Sequence, residues 1–308
     1  MRAIVLREYG GPDNLVEEQV PEPAPGPGQV LVEVAVASVT FVETQVRADR
    51  GPRRVPLPAV LGNGVAGTAL TGEFAGTRVV STTGGTGGYA ERVAVPADEP
   101  IPVPDGVSLA AAAALLADGR TALGLHSAAA PRPGEWVLVE AAGGGVGSLL
   151  VQLAKAAGAH VIGAASSPAK LDRARELGAD VVVDYTAPDW PERVREKVKE
   201  LDLVYDGVGG QVGASAQTLL REGGRLSSYG MAGGPMTVPG PGVTPVEWPA
   251  TRPRDLSVMA LAEAAAGRLR PTIGLRLPLS EAAKAHAAME ARAVTGKTLL
   301  FTGDPSAG

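Results

Sequence analysis

The strongest chemical signal in the chain is a glycine cluster set between two apolar runs. It reads Val137-Leu-Val-Glu-Ala-Ala-Gly-Gly-Gly-Val-Gly-Ser and continues into Leu149-Leu-Val-Gln-Leu-Ala-Lys-Ala-Ala. An apolar strand that enters glycines and leaves as a helix is the context a dinucleotide loop requires; a glycine-rich structural turn is the plainer alternative. Gly144 would let the backbone approach a diphosphate, and Gly147 would let the helix pack close to the strand. The helix start would supply free N–H groups and positive dipole to the phosphates.

The end of the following strand bears on which dinucleotide fits. NAD sites usually place Asp or Glu there for the ribose 2′-hydroxyl. This strand ends Gly163-Ala-Ala-Ser-Ser-Pro-Ala-Lys, without an acid. Ser166 and Ser167 can donate to a phosphate and Lys170 adds charge, so a 2′-phosphate fits and NADPH is expected over NADH. An ordinary exposed first-turn lysine is the other reading of Lys170.

Metal chemistry is not expected. The chain has no cysteine, which excludes disulfides, thiol nucleophiles and cysteine-ligated zinc. The three histidines, His126, His160 and His286, are far apart, and none lies in an HxxE or HExxH spacing. They read as helix-end, strand-start and helix-surface residues respectively.

These residues need elements to position them. The 308 residues suffice for two domains, each with its own core. Residues 1–107 read as β-rich: Val30, Val32, Val34 and Val36 alternate at period two after a proline-rich turn. Ser108 is a good cap for a helix over 109–117, which Asp118-Gly119 should break, with a second helix from Thr121 to before Pro131. From Gly134 strands at 136–140, 161–165, 181–184, 203–206 and 225–229 alternate with helices, and Ser167-Pro168 caps one of these. Such alternation implies a doubly wound parallel sheet, hence an α/β fold with a β-rich partner domain. Val243-Thr-Pro-Val-Glu-Trp could add a short sixth strand. A helix over 252–268, an extended stretch over 270–277, an alanine-rich helix capped by Ser280 and a last strand at Lys297-Thr-Leu-Leu-Phe complete the chain.

A net charge of -5 without a basic run argues against nucleic acid or an anionic membrane surface as the main partner. The start, MRAIVLREYGG, lacks a signal-peptide apolar region, and the longest apolar run, 109–117, is too short to span a bilayer. Cytoplasmic residence is the expectation.

The loop motif, together with Glu176-Leu-Gly-Ala-Asp-Val-Val-Val-Asp-Tyr, Asp206-Gly-Val-Gly-Gly, Gly223-Gly-Arg-Leu, Gly87-Gly-Tyr-Ala-Glu and Gly296-Lys-Thr-Leu-Leu, resembles the zinc-independent quinone oxidoreductases of the medium-chain dehydrogenase/reductase superfamily. The resemblance covers nearly the whole chain. It implies a GroES-like domain over 1–107, a Rossmann domain over 108–248 and a return to the first domain over 249–308, with the active site in the cleft between. Zinc enzymes of the superfamily carry Gly-His-Glu where this chain has Gly62-Asn-Gly, so Asn63 and Gly64 stand at the ligand motif. The family's Asn-Pro-x-Asp corresponds to Thr40-Phe-Val-Glu, with Thr40 and Glu43 at the polar positions. The chain is short after Gly67 and between Gly240 and Asp255. In relatives the second stretch carries the last Rossmann strand and part of a dimer interface, so a homodimer is an expectation with a reduced strand to form it.

By motif, the diphosphate should meet Gly144, Gly145, Val146 and Gly147, and the 2′-phosphate should meet Ser166, Ser167, Lys170 and Tyr185. The nicotinamide side should meet Thr121, Val208, Tyr229, Gly230 and Met231. Packing is the alternative role for Tyr185, Tyr229 and Met231. Without zinc to polarise a carbonyl, a quinone or enone is the easier acceptor, because its charge spreads by conjugation. Thr40 and Tyr89 are candidate donors, Tyr89 with a structural alternative; Glu43 is a polar cleft residue or an arginine's partner, and Asp118 with Arg120 reads as a local ion pair. The expected activity is NADPH-dependent reduction of a quinone or α,β-unsaturated carbonyl compound. A biosynthetic enoyl reductase and a non-catalytic NADPH-binding regulator are the rival readings.

Overall fold

A computed structural model describes residues 1–306, and its contacts divide the chain into two units. One comprises Met1–Ala117 with Ser257–Gly308, the other Asp118–Leu256. The divisions fall inside two helices rather than at 107/108 and 248/249.

The first unit opens with strands β1 (Arg2–Leu6), β2 (Leu15–Gln19) and β3 (Gln29–Val39), helix α1 (Phe41–Arg47), and strands β4 (Ala59–Val60), β5 (Gly64–Ala69), β6 (Arg78–Thr82), β7 (Arg92–Pro96) and β8 (Ile101–Pro102). The alternating valines of β3 are all buried, as expected, but they do not share one core. Val34 pairs with Gly67 and Val36 with Ala66, so Ala35 is an extra residue. A bulge of this kind reverses the alternation. Val30, Val32 and Val34 therefore pack with Ile4, Leu6 and Tyr89, whereas Val36 packs with Val80, Ala113 and Leu116.

Helix α2 (Leu109–Ala129) runs unbroken through Asp118-Gly119. The expected break is corrected on energetic grounds. A helical glycine costs only about 1 kcal/mol relative to alanine. Ala112, Ala113, Leu115, Leu116, Ala122 and Leu125 are all buried along the helix, and their packing outweighs that cost. The Ser108 hydroxyl accepts from the Ala111 N–H at 3.1 Å, the cap its sequence position suggested.

The second unit holds β9 (Trp136–Val139), α3 (Gly145–Ala156), β10 (His160–Ala165), α4 (Pro168–Glu176), β11 (Val181–Asp184), α5 (Trp190–Arg195), β12 (Leu201–Asp206), α6 (Gly210–Gln217), β13 (Leu220–Ser228) and β14 (Thr244–Pro245). Its strands form one six-stranded sheet in the order β11-β10-β9-β12-β13-β14, with every pairing parallel. This is the doubly wound arrangement, with its order reversing beside β9. Leu138, Ile162, Val204 and Leu226 of the central strands join one core.

Helix α7 (Pro253–Ala265) leads into β15 (Ile273–Pro278), α8 (Ala282–Glu290) and β16 (Lys297–Phe301). β16 pairs antiparallel with β3, Thr298 opposite Val39, so the end of the chain completes the first unit's seven-stranded sheet. α8 begins at Ala282 after a 3-10 turn, not at a Ser280 cap. His286 lies on its buried face with Ala282 and Ala285 and is fully enclosed, which corrects the helix-surface reading. An alanine-rich helix offers little contrast between faces from which to tell the inner one. No described helix is long and apolar enough to cross a membrane.

Candidate active site

β9 ends at Val139, and the chain then turns through Glu140 and Ala141 into the glycines. The Ala142 N–H donates to the Ala164 carbonyl at 3.0 Å, tying the loop to the end of β10. The Gly144 N–H returns to the Ala141 carbonyl at 2.7 Å. Gly144 is the N-cap of α3 and has no side chain of its own to offer the first turn. A helix start of this kind presents its N–H groups and positive end to an anion. Gly147 is buried, and a Cβ there would lie 2.2 Å from the Ala141 carbonyl oxygen. The close approach expected of Gly147 is thus present, helix against loop. A Cβ on Gly145 would meet the Asp118 carboxylate at 2.0 Å, so Asp118 of α2 sits at the start of α3 rather than at a helix break. Val146 is half-buried in the same first turn, and Thr121, half-buried, lies on α2 just beyond Asp118.

Ser166 and Ser167 follow β10 and are half-buried; Ser167 is the N-cap of α4, with Pro168 in its first turn. Lys170 lies over the glycine loop, because a Cβ on Gly143 would meet the Lys170 Cβ at 2.5 Å. The Tyr185 N–H donates to the Ala165 carbonyl at 3.2 Å, which brings Tyr185 to the same strand end. Asp184, the acid beside this site, accepts from both the Thr186 amide and hydroxyl. The fold therefore gathers Ser166, Ser167, Lys170 and Tyr185 beside the glycines.

At the carboxyl end of β12, Asp206 organises the adjoining turn. Its carboxylate accepts from the Val208 N–H at 3.1 Å, the Gly209 N–H at 2.7 Å and the Ser228 hydroxyl at 2.7 Å. The Tyr229 and Gly230 amides both donate to the Asp206 carbonyl. A Cβ on Gly230 would lie 2.0 Å from the Gly207 carbonyl oxygen, so the two turns are in backbone contact. Val208 is buried, Tyr229 and Gly230 are half-buried, and Met231 is exposed.

Sequence reasoning missed the group at the centre of this region. Glu140 is fully buried, and its carboxyl accepts from the Val208 N–H at 3.2 Å. Burial pushes this carboxyl well above its usual range, and the hydrogen bond and charge of Asp206 push it further. Asp206 goes the other way: burial raises it, but bonds from Glu140, the Gly209 amide and Ser228 outweigh burial and hold it low. Two enclosed carboxyls in contact cannot both ionise, so Glu140 carries the proton and donates to Asp206. The only sequence sign of the pair was a lone acid ending an apolar run.

The raised Glu140 carboxyl makes stability depend on pH with a definite sign. Its contribution is complete below the unfolded carboxylate range and declines as pH rises toward the folded value. Glu140→Gln keeps a donor for Asp206 and removes the titration. Melting temperatures followed from pH 5 to pH 8 should show the variant gaining on the wild type as pH rises; parallel curves would contradict the protonated assignment.

In the first unit, Thr40 caps α1, and Glu43 at the third helical position reaches back to the Thr40 amide, forming a capping box. The Glu43 carboxyl also accepts from the Asn63 N–H at 2.7 Å and the Tyr89 hydroxyl at 3.3 Å. The Tyr89 hydroxyl meets His286 Nε2 at 3.1 Å. Tyr89 and His286 are fully buried and Glu43 nearly so; only Thr40 of the three catalytic candidates is part exposed. The structure brings Thr40, Glu43 and Tyr89 together, but Glu43 and Tyr89 as interior supports. His286 is neutral, its pKa driven down to about 3 by burial and then by the Arg47 charge. Glu43 is raised by burial, against the opposing pull of the Thr40 and Asn63 amides and of Lys297. Arg47 pairs with Glu290, not with Glu43. Among the described residues, no three His, Cys, Asp or Glu side chains gather to hold a metal.

Two family models match the chain. Residues 26–105 match the alcohol dehydrogenase GroES-like domain, and residues 145–247 match the zinc-binding dehydrogenase domain. A quinone oxidoreductase of Pseudomonas aeruginosa is 34% identical, over 97% of this chain and 99% of that one. The chain belongs to the quinone oxidoreductase family of the medium-chain dehydrogenase/reductases. A 2-haloacrylate reductase of Burkholderia is 33% identical over 97% of this chain and 98% of its own length. A mycobacterial protein solved in complex with NADPH superposes with a TM-score of 0.87 at 34% identity, covering 98% of this chain and 99% of that one. As a member of the family the chain is an oxidoreductase using a nicotinamide cofactor. The glycine start of α3 and the Gly147 contact fit the diphosphate of such a cofactor.

Proposed function

We propose that the chain is an NADPH-dependent reductase of quinones or α,β-unsaturated carbonyl compounds that works without zinc. One observation carries this reading: a diphosphate cradle flanked by Lys170, Ser166 and Ser167 stands in one unit, while the other unit has Asn63 at the position where zinc relatives carry a ligand histidine. Lys170 on Gly143 and the absence of an acid at the end of β10 support a 2′-phosphate over a free ribose hydroxyl. The neighbouring protein solved with NADPH supports the same choice.

NADPH supplies the hydride when bound. The chain's own part is to hold the acceptor and to stabilise charge on its oxygen. A simple ketone concentrates that charge on one atom and needs a strong electrophile, whereas a conjugated acceptor spreads it. Thr40, half-buried at the start of α1, carries the hydroxyl suited to the weaker task. Glu43, tied to the Thr40 and Asn63 amides and to Tyr89, keeps Thr40 in place. On the nucleotide side, Asp206 and protonated Glu140 fix the Val208-Gly209 turn that would border the nicotinamide.

Metal independence tests the reading. After exhaustive chelation, NADPH oxidation by 1,4-benzoquinone should continue at the untreated rate, and elemental analysis should find no stoichiometric zinc. Zinc at one per chain, lost together with activity, would overturn it.

A further inference from the structure

Asp118 is an acidic residue of the nucleotide unit to which the hydride-transfer reading gives no task. It belongs to α2, yet its carboxylate reaches the first turn of α3. A Cβ on Gly145 would stand 2.0 Å from Asp118 Oδ2 and 2.9 Å from its Cγ. The carboxylate therefore fills the space that a side chain at 145 would need. Negative charge at a helix start stabilises the helix. It would also repel the cofactor diphosphate expected at the same turn. An acid in that position needs a favourable contact with the cofactor to offset the repulsion.

A second neighbour shows where that contact lies. The Tyr229 hydroxyl sits over Gly207, where a Cβ would be 2.6 Å from its oxygen. Burial raises this phenol well above its usual range, and the carboxyls of Glu140, Asp206 and Asp118, in that order, add to the rise. Asp118 thus touches the start of α3 and acts electrostatically on the residue over the Gly207 turn. Asp118, Gly145, Gly207 and Tyr229 are all half-buried, so the space beside them is not sealed off. Thr121, also half-buried, is three residues further along α2 and shares the face of Asp118.

The diphosphate belongs at the start of α3 and the nicotinamide beside the Val208-Gly209 turn. The covalent structure of a dinucleotide puts one ribose between those two groups. That ribose carries a vicinal diol, two O–H donors side by side. A carboxylate only accepts and offers about four lone-pair positions, so it can take up a diol even when it is also bonded within the protein. Such O–H···O⁻ bonds are among the stronger hydrogen bonds. A carboxylate performs the same task for the adenosine ribose in NAD sites. We propose that Asp118 is a cofactor-binding residue that accepts hydrogen bonds from the hydroxyls of the nicotinamide-side ribose. This rests on the cofactor placement above.

The test is calorimetric titration of the wild type, Asp118→Ala and Asp118→Asn with three nucleotides. NADPH has the ribose and the nicotinamide, 2′-phospho-ADP-ribose keeps the ribose without the nicotinamide, and 2′,5′-ADP has neither. Asp118→Ala should weaken NADPH and 2′-phospho-ADP-ribose alike, by about 10- to 100-fold, the effect of hydrogen bonds to a charged group. Binding of 2′,5′-ADP should be essentially unaltered, which also shows that the variant keeps its folded site. Asp118→Asn, which retains one acceptor oxygen, should fall between. Tighter NADPH binding in Asp118→Ala would overturn the assignment, because repulsion of the diphosphate would then be the whole effect. Equal losses for all three nucleotides would reduce Asp118 to a support of α3, and a loss confined to NADPH would give it to the nicotinamide carboxamide; either overturns the ribose contact. Normal wild-type binding with an unaltered Asp118→Ala overturns this assignment alone. A wild type that binds none of the three overturns the cofactor placement, and this assignment with it.

Discussion

Gly147→Val should abolish NADPH binding, weakening it by at least about 1000-fold, or roughly 4 kcal/mol. The first added carbon already overlaps the Ala141 carbonyl oxygen, at 2.2 Å, and lies 2.7 Å from the Ala141 carbonyl carbon. Both are backbone atoms, and the loop that contains them is tied to Ala164 and to its own Gly144 amide. No side chain can move aside, so the start of α3 must lift from the loop. That displacement takes the N–H groups away from the position where they converge on a diphosphate. Calorimetric titration with NADPH gives the readout, and circular dichroism establishes that the variant is folded. Near-normal affinity in a folded variant would remove the glycine loop from the cofactor site.

NADPH should bind the wild type at least tenfold more tightly than NADH, a difference of about 1.4 kcal/mol, and Lys170→Ala should remove most of it. The lysine stem lies against Gly143, in the first turn of the helix that Ser167 caps. A 2′-phosphate there would gain charge-assisted bonds that a ribose hydroxyl cannot match. The variant should lose affinity for NADPH and hardly any for NADH. Equal wild-type affinities, or parallel losses for both nucleotides, would contradict the assignment of Lys170.

Legibility in the sequence followed the physical nature of each feature. The doubly wound sheet was readable because alternating strands and helices leave few other topologies, and the glycine loop because its spacing serves one close contact, Gly147 on Ala141. The GroES-like and Rossmann domains followed from motifs spread along the chain, and the family models match both. The bulge at Ala35 was hidden, since four alternating valines look the same whether or not an extra residue divides them between two cores. α2 was misread because Asp118-Gly119 is a local stop signal that burial along the helix overrides. His286 and the Glu140–Asp206 pair could not be seen, because each depends on a partner far away in the chain: Tyr89 in one case and the end of β12 in the other. Glu43 was visible as a polar residue, but its three-residue spacing from Thr40 is the signature of a capping box, and that local role accounts for its position.

The most direct measurement of the central claim is NADPH consumption with 1,4-benzoquinone, 9,10-phenanthrenequinone, a 2-alkenal and cyclohexanone compared in parallel. A chain that carries the hydride cofactor but has Asn63 at the zinc-ligand position should reduce the conjugated acceptors and leave cyclohexanone essentially untouched. Preferential turnover of cyclohexanone would contradict the account, because it would require a strong electrophile that neither Thr40 nor its neighbours provide.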